Sequence, residues 1–394
     1  MIRYLTAGES HGPGLTGIIE GIPAGLELTE DDIAKHLARR QKGYGRGGRM
    51  AFEKDVADIL SGVRFSKTMG SPIALQLKNR AFEKDDTGWP KVMSKDGDGS
   101  DVERITIPRP GHADLVGTQK FNFDDIRPVI ERSSARETAM RVGLCTIARK
   151  FLKEFGIEIG SHVIQLGSVG YEGWQQIREI ADPLIEDGAE TIYKKSDESQ
   201  VRCLDEKMSE EMVELIKVKR KEGTSLGGIY EIIVTGVPAG LGSYVHWDKK
   251  LEGRLAQAIV GTQAMKGVEI GLGFESGKRL GHHVHDEITH DGNTYQRRTN
   301  HAGGIEGGMT TGMPIIIRGV MKPIPTMLTP IKTVDIDEQK EKDTRYERSD
   351  VCALPRAIVV AESVIAPVLA NAFLEKFGGD TIEDIKTSYS QFRK

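Results

Sequence analysis

Two histidines sit in turns stiff enough to fix their reach. Ser10-His11-Gly12-Pro13-Gly14 brackets one with glycine and proline, and Arg109-Pro110-Gly111-His112-Ala113-Asp114 holds the other in a Pro-Gly turn. Histidine exchanges protons near neutral pH, so an imidazole presented this rigidly is a candidate general acid. A histidine that merely caps a bend has the same local sequence, and that alternative stays open. Cationic charge accompanies both turns. Seven basic side chains and no acidic ones fall between residues 35 and 49: Lys35, His36, Arg39, Arg40, Lys42, Arg46 and Arg49. The guanidinium fork matches phosphate and carboxylate in two-point hydrogen bonds. A solvated basic face is the plain alternative. Gly43, Gly45, Gly47 and Gly48 favour a ligand, because glycine lets backbone approach one closely.

Three further segments carry polar groups on stiff backbone. Arg132-Ser133-Ser134-Ala135-Arg136-Glu137 reads as the polar start of a long apolar helix, where backbone N–H groups and two arginines can hold phosphate. Ser134 and Glu137 also have the spacing of a capping box. Lys322-Pro323-Ile324-Pro325-Thr326 is an extended segment that can present its lysine and threonine. Arg348-Ser349-Asp350 closes a highly charged stretch. Two other signals are set aside. Gly43-x-Gly45-x-x-Gly48 follows a helix, whereas a dinucleotide fingerprint follows a strand. His282, His283, His285 and His290 lie among Asp and Gly with no second ligand cluster, so no metal site is assigned.

The elements that position these residues read as a mixture. Strand candidates are 15–20, 72–77, 158–169, 229–236 and 314–319, and helix candidates are 30–42, 135–155, 205–221, 248–266 and 355–377. They interleave without a regular βαβ rhythm, which predicts mixed, mostly antiparallel sheets covered by helices. An internal echo organises them. IIEGIPAGL at 18–26 returns as IVTGVPAGL at 233–241, and MGSPIALQL at 69–77 as TGMPIIIRG at 311–319, in the same order. A duplicated unit within one compact domain over 1–394, with halves of roughly 1–220 and 225–394, is therefore expected. Residues 82–105 and 335–350 read as long charged loops, at least one of them a lid.

Composition narrows the class. The chain has 394 residues, 38% hydrophobic and 28% charged, with a net charge of -4. That balance argues against a general nucleic-acid binder, which rewards a basic domain. No uninterrupted apolar run reaches the roughly 18 to 20 residues of a membrane span, and MIRYLTAGESHGPG lacks the regions of a signal peptide. Cys145, Cys203 and Cys352 are odd in number, far apart and without a CxxC, as in reduced cytoplasmic proteins. An anion- or RNA-binding protein using the 35–49 run and a metal-dependent phosphohydrolase using the 282–290 histidines are the competing classes.

Taken together, GESHGPGLTGIIEGIPAGL, RRQKGYGRGGRM, RPGHAD, RSSARETAMRV, NHAGGIEGG, KPIPT and RSD resemble the chorismate synthase family, in order, from residue 8 to residue 350. The resemblance implies an α+β fold, a β-α-β sandwich with internal pseudo-twofold duplication, assembled as a homotetramer. It implies a carbon–oxygen lyase that eliminates phosphate from 5-enolpyruvylshikimate-3-phosphate in an anti-1,4 sense, using reduced FMN without net redox change. By the same resemblance, His11 protonates the departing phosphate, His112 stabilises charge at the flavin N1 edge, and Asp350 helps relay the substrate proton through flavin N5. Ser10, Arg40, Arg46, Arg49, Arg136 and Arg348 would bind substrate. Arg132, Ser133, Ser134, Gln263, Ala264, Gly307, Lys322, Pro323, Ile324, Pro325, Thr326 and Arg348 would contact FMN. Asparagine often stands in the family where this chain has Gln263. Arg40 and Arg46 are sometimes assigned to NADP, and the chain has no long insertion for a reductase module. An external flavin reductase, with NADPH as the indirect reductant, is therefore expected.

Overall fold

The computed structural model describes residues 1–45, 55–83, 87–345 and 350–392. Two antiparallel sheets enclose a layer of helices. The first has the strand order Arg3–Ala7, Gly14–Glu20, Ile73–Lys78, Ala57–Ile59, and the second Met265–Ile270, Ile315–Met321, Gly228–Thr235, Glu158–Leu166, Val169–Gly170. Helices Glu30–Gln41, Thr138–Lys153, Leu251–Val260 and Leu354–Phe377 lie between them and contact strands of one or both sheets.

Side-chain alternation records which faces are covered. In the first sheet Leu15, Ile19, Ile73, Leu75 and Leu77 point inward and are buried. Leu5 and Ile18, paired across neighbouring strands, point outward at 62% and 46% exposure, so that outer face is open in the single chain. The second sheet reads as near-continuous burial, because the helices Trp174–Ile185 and Ala189–Ser196 cover its other side.

The two echoed segments make the same hydrogen bonds. Thr68 Oγ1 donates to the Pro23 carbonyl at 2.6 Å and accepts from Leu26 N–H at 3.0 Å. Thr310 Oγ1 donates to the Pro238 carbonyl at 2.6 Å and accepts from Leu241 N–H at 2.8 Å. Each threonine also exchanges backbone bonds with its loop, Gly25 and Leu26 in the first and Gly240 and Leu241 in the second. We propose that these matched contacts descend from one duplicated unit. The halves do not form separate bodies: Glu158–Leu166 and Val169–Gly170 from the first complete the sheet of the second.

Several boundaries depart from the sequence reading. The helix expected over 248–266 ends at Val260, because Met265–Ile270 is needed as an edge strand of the second sheet. Part of the 335–350 loop is a hairpin, Lys332–Asp335 paired with Lys340–Asp343. Both long charged segments meet there: Arg104 pairs with Asp337, and Ile336 N–H donates to the Thr106 carbonyl at 3.0 Å. Short helices at Asp114–Phe121 and Arg127–Ser133 were absent from the sequence reading, their periodic runs being too brief.

Leu354–Phe377 is long and apolar enough to cross a bilayer by length and composition, although Glu362, Ser363 and Asn371 leave it no uninterrupted apolar run of that length. It is instead packed inside the protein, and it carries Glu362 into the core. Glu362 accepts from Arg39 Nη1 at 2.8 Å, Arg149 Nη1 at 2.6 Å and Ser161 Oγ at 2.5 Å. Burial alone would raise its pKa, but the two guanidinium groups outweigh that and hold the carboxyl well below the ordinary range. Arg39 also bonds Asp197 at 2.7 Å, which Arg202 grips from the other side at 2.7 Å. Arg39 thus belongs to the core rather than to a ligand-facing surface.

Glu362→Gln, which removes the carboxylate paired with Arg149 and one of the two paired with Arg39, is expected to lower the unfolding free energy by about 3–5 kcal/mol in denaturant titrations at neutral pH. Because the folded-state pKa is depressed, this contribution is complete above the unfolded glutamate value near ~4.3 and is lost as pH falls toward the folded one. Thr68→Val and Thr310→Val should each cost about 1–3 kcal/mol, since each strands a buried N–H. A large difference between the two would count against equivalent roles.

Candidate active site

The turn bearing His11 joins the first two strands of the first sheet. Its close return demands glycine at residue 8, where φ is +108° and a Cβ would lie 2.3 Å from the Gly14 carbonyl oxygen. Glu131, on the helix Arg127–Ser133, fixes this turn. Its backbone carbonyl accepts from Ser10 N–H at 3.1 Å, and its carboxylate accepts from His11 N–H at 2.8 Å and meets His11 Nδ1 at 2.9 Å. Burial pushes the Glu131 carboxyl up, yet the contacts with His11 and Arg127 offset this and hold it below its usual range. An anionic carboxylate at Nδ1 fixes the tautomer, so proton exchange with a ligand runs through Nε2.

Asn79 locks the same turn from the opposite side. Its amide donates to the carbonyls of Glu9, Ser10 and Gly12 at 3.2, 3.3 and 2.8 Å. Asn79 Oδ1 accepts from Arg136 Nε at 3.0 Å, and Arg136 Nη1 reaches Asp55 Oδ1 at 2.5 Å. Arg40 Nη1 lies 3.6 Å from the other oxygen of Asp55, so two guanidinium groups share one buried carboxylate. Arg40 also donates to Thr138 Oγ1 and the Ala135 carbonyl, both at 2.9 Å. Burial pushes the Arg40 guanidinium down to about 10, which leaves it cationic at neutral pH. The net positive balance of this cluster suits an anionic ligand.

The capping box expected at Ser134 and Glu137 is not what forms. The helix Arg127–Ser133 ends just before Ser134, whose Oγ accepts from Arg136 N–H at 3.3 Å and bonds Ser10 Oγ at 3.1 Å. Ser133 Oγ turns back onto the Val129 carbonyl at 2.6 Å. Glu137 points away from the cap and accepts from Thr6 Oγ1 at 2.6 Å, Arg141 Nε at 2.9 Å and Gln263 Nε2 at 3.1 Å. Arg132 donates to the carbonyls of Gly8 and Thr6 at 3.1 and 2.8 Å.

A second chain of contacts leads to His112. Ala264 holds a left-handed φ of +67°, costly for a residue with Cβ, and its carbonyl accepts from Lys322 N–H at 3.0 Å. Lys322 Nζ donates to the Gly111 carbonyl, joining the Lys322–Thr326 segment to the histidine turn. There Asp114 lies 2.5 Å from His112 Nδ1 and accepts from Arg109 Nε at 2.8 Å. Burial raises the Asp114 carboxyl, but His112 and Arg109 outweigh it and hold it far below the usual range.

Asp350 pairs with Arg356 at the start of the core helix. The next residue ties it in: Val351 N–H donates to the Gly45 carbonyl at 2.9 Å, and the Val351 carbonyl accepts from Leu226 N–H at 2.8 Å. Neighbouring Ser225 Oγ donates to the Ile324 carbonyl at 2.6 Å, between Pro323 and Pro325. Ser10, His11, Arg40, Arg132, Ser134, Arg136, Gln263, Ala264, Lys322 and His112 are therefore linked by chains of direct bonds. Gly307 is not joined to them by any described contact. It lies in a hairpin whose Gly308 carbonyl accepts from Leu251 N–H at 3.0 Å, at the start of the helix that Gln263 follows. Arg46, Arg49 and Arg348 lie outside the described residues.

Sequence reasoning missed Glu131, Asn79, Asp55 and Thr6, and read Glu137 only as part of a helix cap. Glu131 immediately precedes the Arg132–Glu137 motif, and an acid beside two arginines and a distant histidine was a usable signal. Asn79 and Asp55 stand in no motif and become partners only through the fold.

A family profile for chorismate synthase matches residues 2–374. The chorismate synthase of Salinibacter ruber is 55% identical over 98% of this chain and 97% of its own length. That of Geobacillus thermodenitrificans is 51% identical, covering 100% of this chain and 99% of its own. A crystal structure of a chorismate synthase superposes with a TM-score of 0.79 at 41% identity, over 99% of this chain and 97% of that one. Identity of this extent, together with the matching fold, establishes that the chain belongs to the chorismate synthase family.

Proposed function

We propose that this protein eliminates phosphate from 5-enolpyruvylshikimate-3-phosphate to give chorismate, with reduced FMN bound and no net redox change. The observation that carries the reading is His11 held at Nδ1 by buried Glu131 beside the Arg40–Asp55–Arg136 cluster. Phosphate leaves as a highly charged anion, and elimination is eased by a proton on its bridging oxygen and by nearby fixed cations. His11 Nε2 supplies the proton, while Glu131 stabilises the imidazolium from which it comes. Ser10, Arg40 and Arg136, with Arg46, Arg49 and Arg348, receive the charges of phosphate and carboxylate.

Asp350 takes the proton lost from the substrate, its carboxylate oriented by Arg356. His112, held between Arg109 and Asp114, stabilises negative charge on the far side of the site. The residues fit a flavin in one concrete respect: among the described residues, Gln263 Oε1 is buried without a hydrogen-bond partner. Gln263, Ala264, Arg132 to Ser134 and Lys322 to Thr326 would hold the cofactor, with Gly307 contributing from its hairpin. When bound, reduced FMN supplies the electron density that breaks the carbon–oxygen bond.

The same reading includes a homotetramer, an external flavin reductase with NADPH as indirect reductant, and a cytoplasmic location. Exposed Leu5 and Ile18 support burial of the first sheet's outer face against another copy. Cys145, Cys203 and Cys352 are free thiols buried in the core, in keeping with a reducing compartment. Burial of His36, Arg39 and Arg40 speaks against the 35–49 run as an RNA-binding surface.

Phosphate release would be followed anaerobically with FMN photoreduced or left oxidised. Release only with reduced flavin, in step with chorismate absorbance, is expected; release with oxidised flavin, or none with either, would refute the proposal. His11→Ala and His112→Ala are each expected to lower turnover by about 10²–10⁴, the scale of acid–base loss, with much smaller effects on substrate affinity. Near-normal turnover in either variant removes that residue from the mechanism.

A further inference from the structure

Trp89 opens a short helix, Trp89–Val92, inside the charged segment between residues 82 and 105. Gly88, at φ +71°, and Pro90 in the first turn fix its backbone direction. Its indole lies flat against the His11 imidazole, with ring centroids 3.8 Å apart and planes inclined by 15°. The Arg127 guanidinium sits 5.5 Å from the Trp89 ring centroid and 3.5 Å from Glu131 Oε1. Trp89, His11, Glu131 and Arg127 thus form one closed set of contacts, built from three elements far apart in sequence.

We propose that Trp89 is a positioning residue for His11. The Glu131 carboxylate fixes where Nδ1 sits but not the tilt of the ring about that contact. The flat indole restrains that tilt, so the Nε2 proton is aimed in one direction. It also keeps water from one imidazole face, which strengthens the Glu131 pairing. Among the described residues the Glu131 carboxylate and the Arg127 guanidinium contact these rings, and the Glu9 carboxylate lies in the same turn as His11. Arg127 is itself paired with Glu131. Misorientation of a proton donor by about an ångström can cost on the order of 10²-fold in rate.

The inference rests on the proposed role of His11, and its test separates the two. Imidazolium quenches indole emission by contact, so emission from Trp89, taken as the difference between the native protein and Trp89→Phe, should fall as His11 gains a proton. His11→Asn should abolish that pH-dependent step. Trp89→Leu should lower kcat by about 10- to 10²-fold with little change in KM, and Trp89→Phe, which keeps a flat ring, should recover most of it. A Trp89 emission titration unchanged by His11→Asn, or native kcat in Trp89→Leu, would overturn the assignment. If the emission coupling is present while His11→Ala remains fully active, the stacking stands and the acid role of His11 fails.

Discussion

A buried carboxylate at residue 131 is the contact on which the site depends. Glu131 is removed from solvent, and a lone carboxylate there would be costly unless paired and hydrogen-bonded. The His11 ring, the His11 backbone N–H and Arg127 answer that requirement. The residues that follow extend the same role in a regular way. Arg132 holds Thr6 and Gly8, Ser134 holds Ser10, Arg136 holds Asn79, and Glu137 holds Gln263 and Thr6. One seven-residue stretch, leaving one helix and entering another, thus holds the His11 turn, Asn79 and Gln263 together.

Charge in the basic run is divided by helical geometry. Arg39 and Arg40 are adjacent in sequence, so their side chains leave the helix about 100° apart. Arg39 goes into the core and, with Arg149, neutralises Glu362; Arg40 goes toward Asp55 and Arg136. The first arrangement, in which Asp197 also pairs with Arg39 and Arg202, is sealed in the core and fixes how the central helices pack. The second has two cations for one acid and keeps a positive balance for a ligand. Fixed cations in a pocket that excludes water act more strongly than the same groups in solvent, and they are already in place before the reaction begins.

The matched loops at Pro23–Leu26 and Pro238–Leu241 give this arrangement its rigidity. In both, a threonine hydroxyl bridges a carbonyl and an N–H that a sharp turn would otherwise strand. The first anchors the sheet that carries the His11 turn, and the second lies in the half that carries Ala264 and Lys322. Rigid sheets on both sides of the helical layer hold these distant turns in fixed relation.

By itself the sequence determined the class of fold, the main core helices and strands, and the segments whose residue types are candidates for chemistry. Those are local properties: apolar spacing, glycine and proline at turns, and dense cationic side chains all act within a few residues. His11, His112, Arg40 and Arg136 stood out as candidates for that reason. Only the tertiary structure decided which acid would meet which base. Asp55, Asn79, Glu131 and Glu137 lie between about fourteen and 130 residues from some of their partners, and no periodicity encodes such pairings. The same holds for His162, Glu231, Arg318 and Glu269, which line up as neighbours across four strands of the second sheet. A buried charge is tolerated only beside its complement, and that complement is chosen by the packing of whole sheets and helices rather than by its neighbours along the chain.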